Sequence, residues 1–99
     1  MSITNKAESS NPYLEQLVED VIEYCKSDLQ EYGYEADSVT ITDCDEDRID
    51  LDIDGSKFVV RIWKEYEIMD TINFDWQLNK AVDNHEVDIN AGGSTFDKV

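Results

Sequence analysis

The spacing of the hydrophobic positions changes at about residue 33, from a helical period to a strand period. Between residues 12 and 32 apolar side chains recur every three or four residues, which is the spacing of one buried helix face. Asn11 can cap this helix and Pro12 suits its first position, while Gly33 fits the left-handed residue that commonly follows a helix. The pattern therefore predicts a helix over residues 12–32.

Beyond Gly33 apolar and polar residues alternate, which is the period of a half-buried strand. The segments that predict strands are 38–42, 49–53, 57–63 and 71–79. The dipeptide Asp-Gly at 54–55 is a strong two-residue hairpin signal. This turn would place Leu51 opposite Phe58 and Asp52 opposite Lys57, so that apolar meets apolar and acid meets base.

The order of these elements predicts an α+β fold, in which one N-terminal helix packs on an antiparallel β-meander of about four strands (α-β-β-β-β). We expect residues 1–10 to be a flexible N-terminal segment, 11–82 a single acidic α+β domain, and 83–99 a polar C-terminal tail. This tail is expected to be loose, or to hold a short strand at residues 86–90.

Charge is the unusual property of the composition. The chain has 24 acidic and 8 basic residues, a formal net charge of −16 on 99 residues. Self-repulsion of this size destabilises the compact state, so the excess of acids needs an explanation. General solubility, adaptation to salt and a surface shaped for a cationic partner are the three alternatives; the many isoleucines and lysines count against adaptation to salt.

The densest acidic segment, residues 43–54, has seven acids in twelve positions: Asp43, Asp45, Glu46, Asp47, Asp50, Asp52 and Asp54. Asp50, Asp52, Asp54 and Gly55 resemble the first half of an EF-hand calcium loop. The position for the bidentate glutamate is Arg61, however, and the flanks predict strands instead of helices. We therefore expect solvated strand carboxylates and no metal site.

The same acids have a second interpretation, as rows of anions. Alternate residues of a strand lie roughly 6.6–6.8 Å apart, a spacing of the order of successive phosphates on a nucleic-acid strand. The helix offers another row, because Glu15, Glu19 and Glu23 are four residues apart and Lys26 is the nearest base along that face. Such unpaired rows are tolerated most readily if a cationic partner relieves their repulsion.

In charge and size, though in no motif, the chain resembles the small acidic DNA mimics with which phages and mobile elements inhibit host nucleases, repair enzymes and CRISPR complexes. The resemblance implies a non-enzymatic inhibitor, of the anti-CRISPR or anti-restriction type, that fills the basic groove of a nucleic-acid-binding protein. Its main contact would be the acids of residues 43–54, with the helix row second. The alternative is an acidic chaperone or immunity-type module that uses an apolar sheet face with Val59 and Trp63.

Catalysis is not expected. His85 is the only histidine, and it stands in a polar segment without a nucleophile nearby. The sequence contains no glycine-rich phosphate loop, nucleophile elbow or metal-ligand spacing, so we expect no enzyme activity and no cofactor. The charge disfavours direct nucleic-acid binding. We expect a cytoplasmic monomer or homodimer without a membrane segment, since no apolar run approaches the length of a span.

Overall fold

In a computed structural model that describes residues 2–9 and 11–98, the chain has the α+β class that the sequence predicts. The described residues form β1 (Ser2–Asn5), α1 (Leu14–Glu31), β2 (Ser38–Asp45), β3 (Arg48–Ile53), β4 (Ser56–Ile68), β5 (Thr71–Val82) and β6 (His85–Asp97). Residues 1, 10 and 99, which the sequence analysis assigned to the N-terminal segment and the tail, lie outside the described part of the chain. No helix within the described ranges is long and apolar enough to cross a membrane.

The helix begins two residues later than predicted. Asn11 was expected to cap it and Pro12 to start it, but residues 12 and 13 form a turn and α1 begins at Leu14. The Asn11 side-chain oxygen accepts a hydrogen bond from the backbone N–H of Tyr13 at 2.8 Å. Asn11 therefore shapes the turn before the helix, because a side chain bonded two residues along the chain stabilises a turn.

The C-terminal end of the helix follows the prediction. Gly33 has a φ of 87°, the left-handed conformation that glycine adopts without steric cost. The N–H of Gly33 donates to the carbonyl of Gln30 at 3.0 Å, and the N–H of Tyr34 donates to the carbonyl of Leu29 at 2.9 Å. This pair of bonds is the Schellman motif, which satisfies two carbonyls that the helix itself leaves without partners.

The strands form one six-stranded sheet in chain order, β1-β2-β3-β4-β5-β6. Strands β2 to β6 pair antiparallel as a meander, whereas β1 pairs parallel with β2, and α1 makes the connection between them. The expected count of about four strands is therefore too low by two. The additional strands are β1, in the segment expected to be flexible, and β6, in the tail expected to be loose.

The hairpin between β3 and β4 has the predicted register. Asp54 and Gly55 have φ values of 52° and 77°, and a two-residue type I′ turn requires positive φ at both positions. The observed partners are Ile53 with Ser56, Asp52 with Lys57, Leu51 with Phe58 and Ile49 with Val60. A shift by one residue would have turned every apolar side chain of these strands to the other face.

The core lies between α1 and the sheet face that α1 covers. The apolar stripe of the helix is fully buried: Leu14, Leu17, Val18, Val21, Ile22, Cys25 and Leu29. Trp76, Phe58 and Phe74 are the largest fully buried side chains that the sheet contributes. Each buried apolar side chain of this kind contributes about 1.5–3 kcal/mol.

Gly92 on β6 is needed for this packing. A Cβ atom at Gly92 would lie 3.0 Å from Cζ2 of Trp76 and 3.3 Å from Cε1 of Tyr24. The two rings meet edge to face, with centroids 5.5 Å apart. The absence of a side chain at Gly92 therefore lets the helix and the sheet close over β6.

Candidate functional site: the acidic surfaces

The sheet face that α1 leaves uncovered is called the open face here. It carries the residues that alternate along β3, β4 and β5 with those that face α1: Asp50, Asp52, Lys57, Arg61 and the buried Val59 and Asn79. No described element packs on this face, since the helix lies on the other side. Four of the eight basic residues of the chain stand on β3 and β4, namely Arg48, Lys57, Arg61 and Lys64.

The row of three aspartates that the sequence predicts on β3 does not stand as a free row. Asp50 and Asp52 do point to the open face, but Asp50 forms an ion pair with Arg48 at 2.7 Å. Asp52 stands directly opposite Lys57. Asp54 lies in the hairpin turn, where its carboxylate accepts a hydrogen bond from the backbone N–H of Glu35 at 3.2 Å. Asp50 and Asp52 therefore lie beside basic residues, and Asp54 is hydrogen-bonded to the loop that follows the helix.

A bidentate ion pair joins β4 to β6 across the open face. The guanidinium of Arg61 donates to both oxygens of Glu86, at 2.5 and 3.1 Å, and the amide of Asn79 donates to the same carboxylate at 3.0 Å. These bonds, first the one from Arg61 and then the one from Asn79, lower the pKa of the Glu86 carboxyl to about 2. The bond to Glu86 also raises the pKa of Arg61. This part of the open face is thus held together by pairing of opposite charges.

Val59 and Trp63, the two residues of the expected apolar contact, differ in exposure. Val59 is only 2% exposed, so it offers no surface to a partner. Trp63 is 68% exposed, because the register of β4 and β5 shifts between Ile62 and Lys64 and leaves Trp63 as the extra residue of a β-bulge. Residues 85–97 of the C-terminal tail pair edge to edge with β5 as β6, and Glu86 and Asp88 of this strand line a groove together with Trp63.

Trp63 lies beside the acidic turn between β2 and β3. It lines a groove of about 1070 Å³ together with Asp45, Glu46 and Asp47, which are all exposed. The opposite wall of the groove belongs to the segment that leads into the helix and includes Glu8. The structure therefore brings together the acidic turn and the exposed tryptophan, which the sequence analysis assigned to rival hypotheses. The sequence carries no signal for this, because the bulge that turns Trp63 outward depends on the pairing of β4 with β5.

Asp43 also belongs to the predicted contact. It is exposed on β2, and its register partner on β3 is Asp50. Like charges directly opposite each other are unfavourable in a sheet. The pairing of Asp50 with Arg48 reduces this repulsion.

The helix carries a row of three acids without ion pairs in the described part of the chain. Glu15, Glu19 and Glu23 are exposed, and we call them the helix ridge. Among the described residues, none of the three has a basic nitrogen within 4.0 Å of its carboxylate, whereas ion pairs occur at Arg48, Arg61 and Lys98. The helix ridge belongs to α1, which covers the sheet face opposite to the open face.

The charge density of the helix can be compared with that of DNA. Residues 14–31 contain six acids and one lysine, a net charge of −5. With 1.5 Å of rise per residue the helix is about 27 Å long, or roughly one net negative charge per 5 Å. A DNA strand carries one charge per roughly 3.4 Å of axis and a duplex one per roughly 1.7 Å. The charge density of the helix alone is therefore somewhat below that of a single DNA strand. The acids of the turn between β2 and β3 would have to add to it to come closer to the charge density of a duplex.

Cys25 and His85 are two candidates for reactive groups in the described part of the chain. Burial, with a smaller effect from Asp28, raises the pKa of the Cys25 thiol to about 12, so this cysteine is not a nucleophile near neutral pH. His85 is exposed at the start of β6. No group of three or more His, Cys, Asp or Glu side chains in the described ranges could hold a metal ion. The chemistry that these surfaces offer is electrostatic attraction and hydrogen bonding.

No protein-family model, curated protein or solved structure matches this chain. Its function is therefore inferred from the distribution of charges and contacts described above.

Proposed function

We propose that this protein is a non-enzymatic acidic inhibitor that mimics DNA and occupies the basic surface of a nucleic-acid-binding protein, as anti-defence proteins of phages and mobile elements do. The observation that carries the proposal is the uneven pairing of charge. The ion pairs at Arg48 and Arg61 lie on the open face, whereas the helix ridge has none among the described residues. The helix therefore presents six acids and a single base, Lys26, and its three ridge acids have no ion pair within the described ranges.

The physical basis is the reverse of DNA binding. A basic groove gains affinity by neutralising phosphates and releasing the ions condensed on them, and fixed carboxylates can neutralise the same lysines and arginines. A helix and a sheet hold the carboxylates in place, which lowers the entropy lost when the partner binds. The net charge of −16 also accelerates the encounter with a basic partner at low ionic strength.

The distribution of ion pairs supports a different order of importance among the proposed contacts. The helix ridge, Glu15, Glu19 and Glu23, becomes the main contact, since its charge is unpaired among the described residues. The acidic turn, Asp45, Glu46 and Asp47, extends it, because the groove beside this turn reaches Pro12 and Tyr13 just before the helix. Asp43, Asp50 and Asp52 on the sheet become peripheral, and Asp54 is assigned to the fold instead of the partner.

The proposal is tested by capture on the immobilised protein followed by elution with double-stranded DNA. We expect DNA to release one or two nucleic-acid-binding proteins from the wild-type chain. Reversal of the helix ridge in the triple variant Glu15→Lys, Glu19→Lys and Glu23→Lys should abolish their capture. A matched variant makes the same charge change at exposed acids away from both contacts: Glu35→Lys, Asp37→Lys and Asp70→Lys. The proposal is wrong if DNA releases nothing, or if both triple variants capture the partner equally well.

A second candidate is an acidic chaperone or immunity-type module with an apolar contact. The exposure of Trp63 beside the acidic turn favours it, although Val59 is buried and contributes nothing. Salt distinguishes the two functions, because attraction between charges weakens steeply with ionic strength and an apolar contact does not. Replacement of Trp63 by alanine should abolish binding if this candidate is correct, and should change it little if the helix ridge is the main contact.

A further inference from the structure

The sheet ends in a long strand with one unpaired edge. β6 is the last strand in the sheet order and has 13 residues, whereas β1 at the other edge has only four. Natural edge strands are usually protected by lysines, prolines, bulges or short length. Residues 89–96 of β6 contain no charged residue and no proline, and a register shift occurs only at the start of this stretch, at Ile89. The central part of β6 therefore lacks most of the usual protection.

Two hydrogen bonds show which backbone groups of β6 face this edge. The N–H of Lys98 donates to the carbonyl of Asp70, toward β5, at 2.7 Å. The N–H of Ala91 instead donates to the side chain of Asn90 at 2.8 Å. Backbone direction alternates along a strand, and the register is continuous from residue 90 to residue 97, so the odd-numbered residues face outward. The N–H groups of Gly93 and Thr95 therefore point to the open edge.

Gly92 and Gly93 of β6 have different neighbours, an acidic side chain on one face of the sheet and aromatic rings on the other. A Cβ atom at Gly93 would lie 3.2 Å from a carboxylate oxygen of Asp75, so that this exposed carboxylate leans over the edge strand on the open face. On the helix side the rings of Tyr24 and Trp76 lie over Gly92, and Tyr24 is 59% exposed. Because the glycines have no side chains, both the carboxylate and the Tyr24 ring are within reach of a strand added beyond β6.

We propose that the edge of β6 binds an extended segment of a basic partner protein as a seventh strand. Main-chain hydrogen bonds to Gly93 and Thr95 would supply affinity, as in other cases of strand addition. The added segment would alternate lysine or arginine toward Asp75 with apolar side chains toward Tyr24, because neighbouring side chains of a strand point to opposite faces. A second copy of the chain does not fit this edge well, since each copy carries a charge of −16.

This inference goes beyond the proposed function, because it concerns backbone hydrogen bonds at the sheet edge and not the acids of the helix. The probe is a nine-residue peptide that alternates lysine and valine, and the control peptide has the same composition with all lysines before all valines. Hydrogen exchange followed by NMR reports each amide. In the free protein we expect the amides of Gly93 and Thr95 to exchange rapidly, and those of Ser94 and Phe96 to be protected by β5. The alternating peptide should protect Gly93 and Thr95.

A pair of variants at residue 95 tests the same contact without breaking the sheet. Thr95→Pro removes an outward N–H, which proline lacks, whereas Thr95→Ala keeps it. Both variants lose the hydrogen bond from the Thr95 hydroxyl to Asn73, so the alanine variant is the matched control. We expect the Kd for the alternating peptide to rise about tenfold in Thr95→Pro, the effect of one lost hydrogen bond, and to change less than about twofold in Thr95→Ala.

Several results would overturn the inference. Equal binding of both peptides, or protection that appears on the helix instead of at Gly93 and Thr95, would mean that charge alone attracts the probe. A free protein that is dimeric by sedimentation, with these two amides already protected, would mean that a second copy occupies the edge. If Thr95→Pro does not fold, the protection pattern in the wild-type protein decides. Reversal of the helix ridge should leave the protection of Gly93 and Thr95 in place, so the failure of one proposal does not imply the failure of the other.

Discussion

Replacing Glu19 by lysine should stabilise the protein, because Glu19 is four residues from both Glu15 and Glu23. A like-charge pair at this spacing costs about 0.2–0.5 kcal/mol, and an opposite-charge pair gains a similar amount. The single change converts two repulsive pairs into two attractive ones, with an expected gain of about 1 kcal/mol. Glu19 is exposed, so the core is not altered. For a domain of this size the gain corresponds to a rise in Tm of about 4–8 °C.

The assay is thermal unfolding followed by circular dichroism, at low salt and in 1 M sodium chloride. Asp37→Lys is the control, since it makes the same charge change at an exposed position outside the helix. The difference between the variants should disappear at high salt, where the Debye length falls to about 3 Å. The expectation is wrong if Glu19→Lys is no more stable than Asp37→Lys at low salt, or if its advantage persists in 1 M salt. Glu19→Lys should also weaken partner binding, because it reverses one charge of the ridge that is proposed to contact the basic partner.

Three further predictions concern the fold. The pKa of Glu86 is lowered from 4.5 to about 2 in the folded protein. Its contribution to the free energy of unfolding is therefore complete above pH 4.5 and is lost as the pH falls toward 2. With allowance for solvent screening, urea titrations should show Glu86→Gln about 1–2 kcal/mol less stable than the wild type at pH 7, and a vanishing difference near pH 2. Gly92→Ala should cost about 1–3 kcal/mol in the same titration, because its methyl group meets Trp76 at 3.0 Å, and an unchanged midpoint would refute that contact. Alkylation at pH 8 should modify half-exposed Cys44 before buried Cys25, whose pKa is about 12, and equal rates in the folded protein would contradict its burial.

The features that local chemistry determines could be read from the sequence. The left-handed glycine after the helix and the Asp-Gly turn each depend on a few neighbouring residues, so Gly33 and the β3–β4 register were predictable. β1 could not be found because Ser2–Asn5 contains a single apolar residue, Ile3, too little for a period. Within β6 the sequence allowed only a short strand at residues 86–90, because two adjacent glycines argue against a longer one. The ring packing over Gly92 shows why a glycine is required there.

The sequence predicts which single acids of the candidate site are exposed, but not which of them pair with bases. Exposure of the helix ridge follows from the helical period, which leaves Glu15, Glu19 and Glu23 outside the apolar stripe. The pairing of Arg61 with Glu86 joins residues 25 apart in the chain, and it depends on the register between β5 and β6, which the sequence did not predict. Long-range pairing of this kind decides which acids form ion pairs, and it cannot be read from the composition.

The most direct test of the account is the salt dependence of the Kd between this protein and the partner that DNA releases from it. The account predicts that log Kd rises steeply with log salt concentration for the wild-type chain, and much less steeply for the variant with Glu15, Glu19 and Glu23 reversed to lysine. A flat dependence for the wild-type protein, or an unchanged slope and affinity in the ridge variant, would contradict the claim that the helix ridge takes the place of nucleic acid.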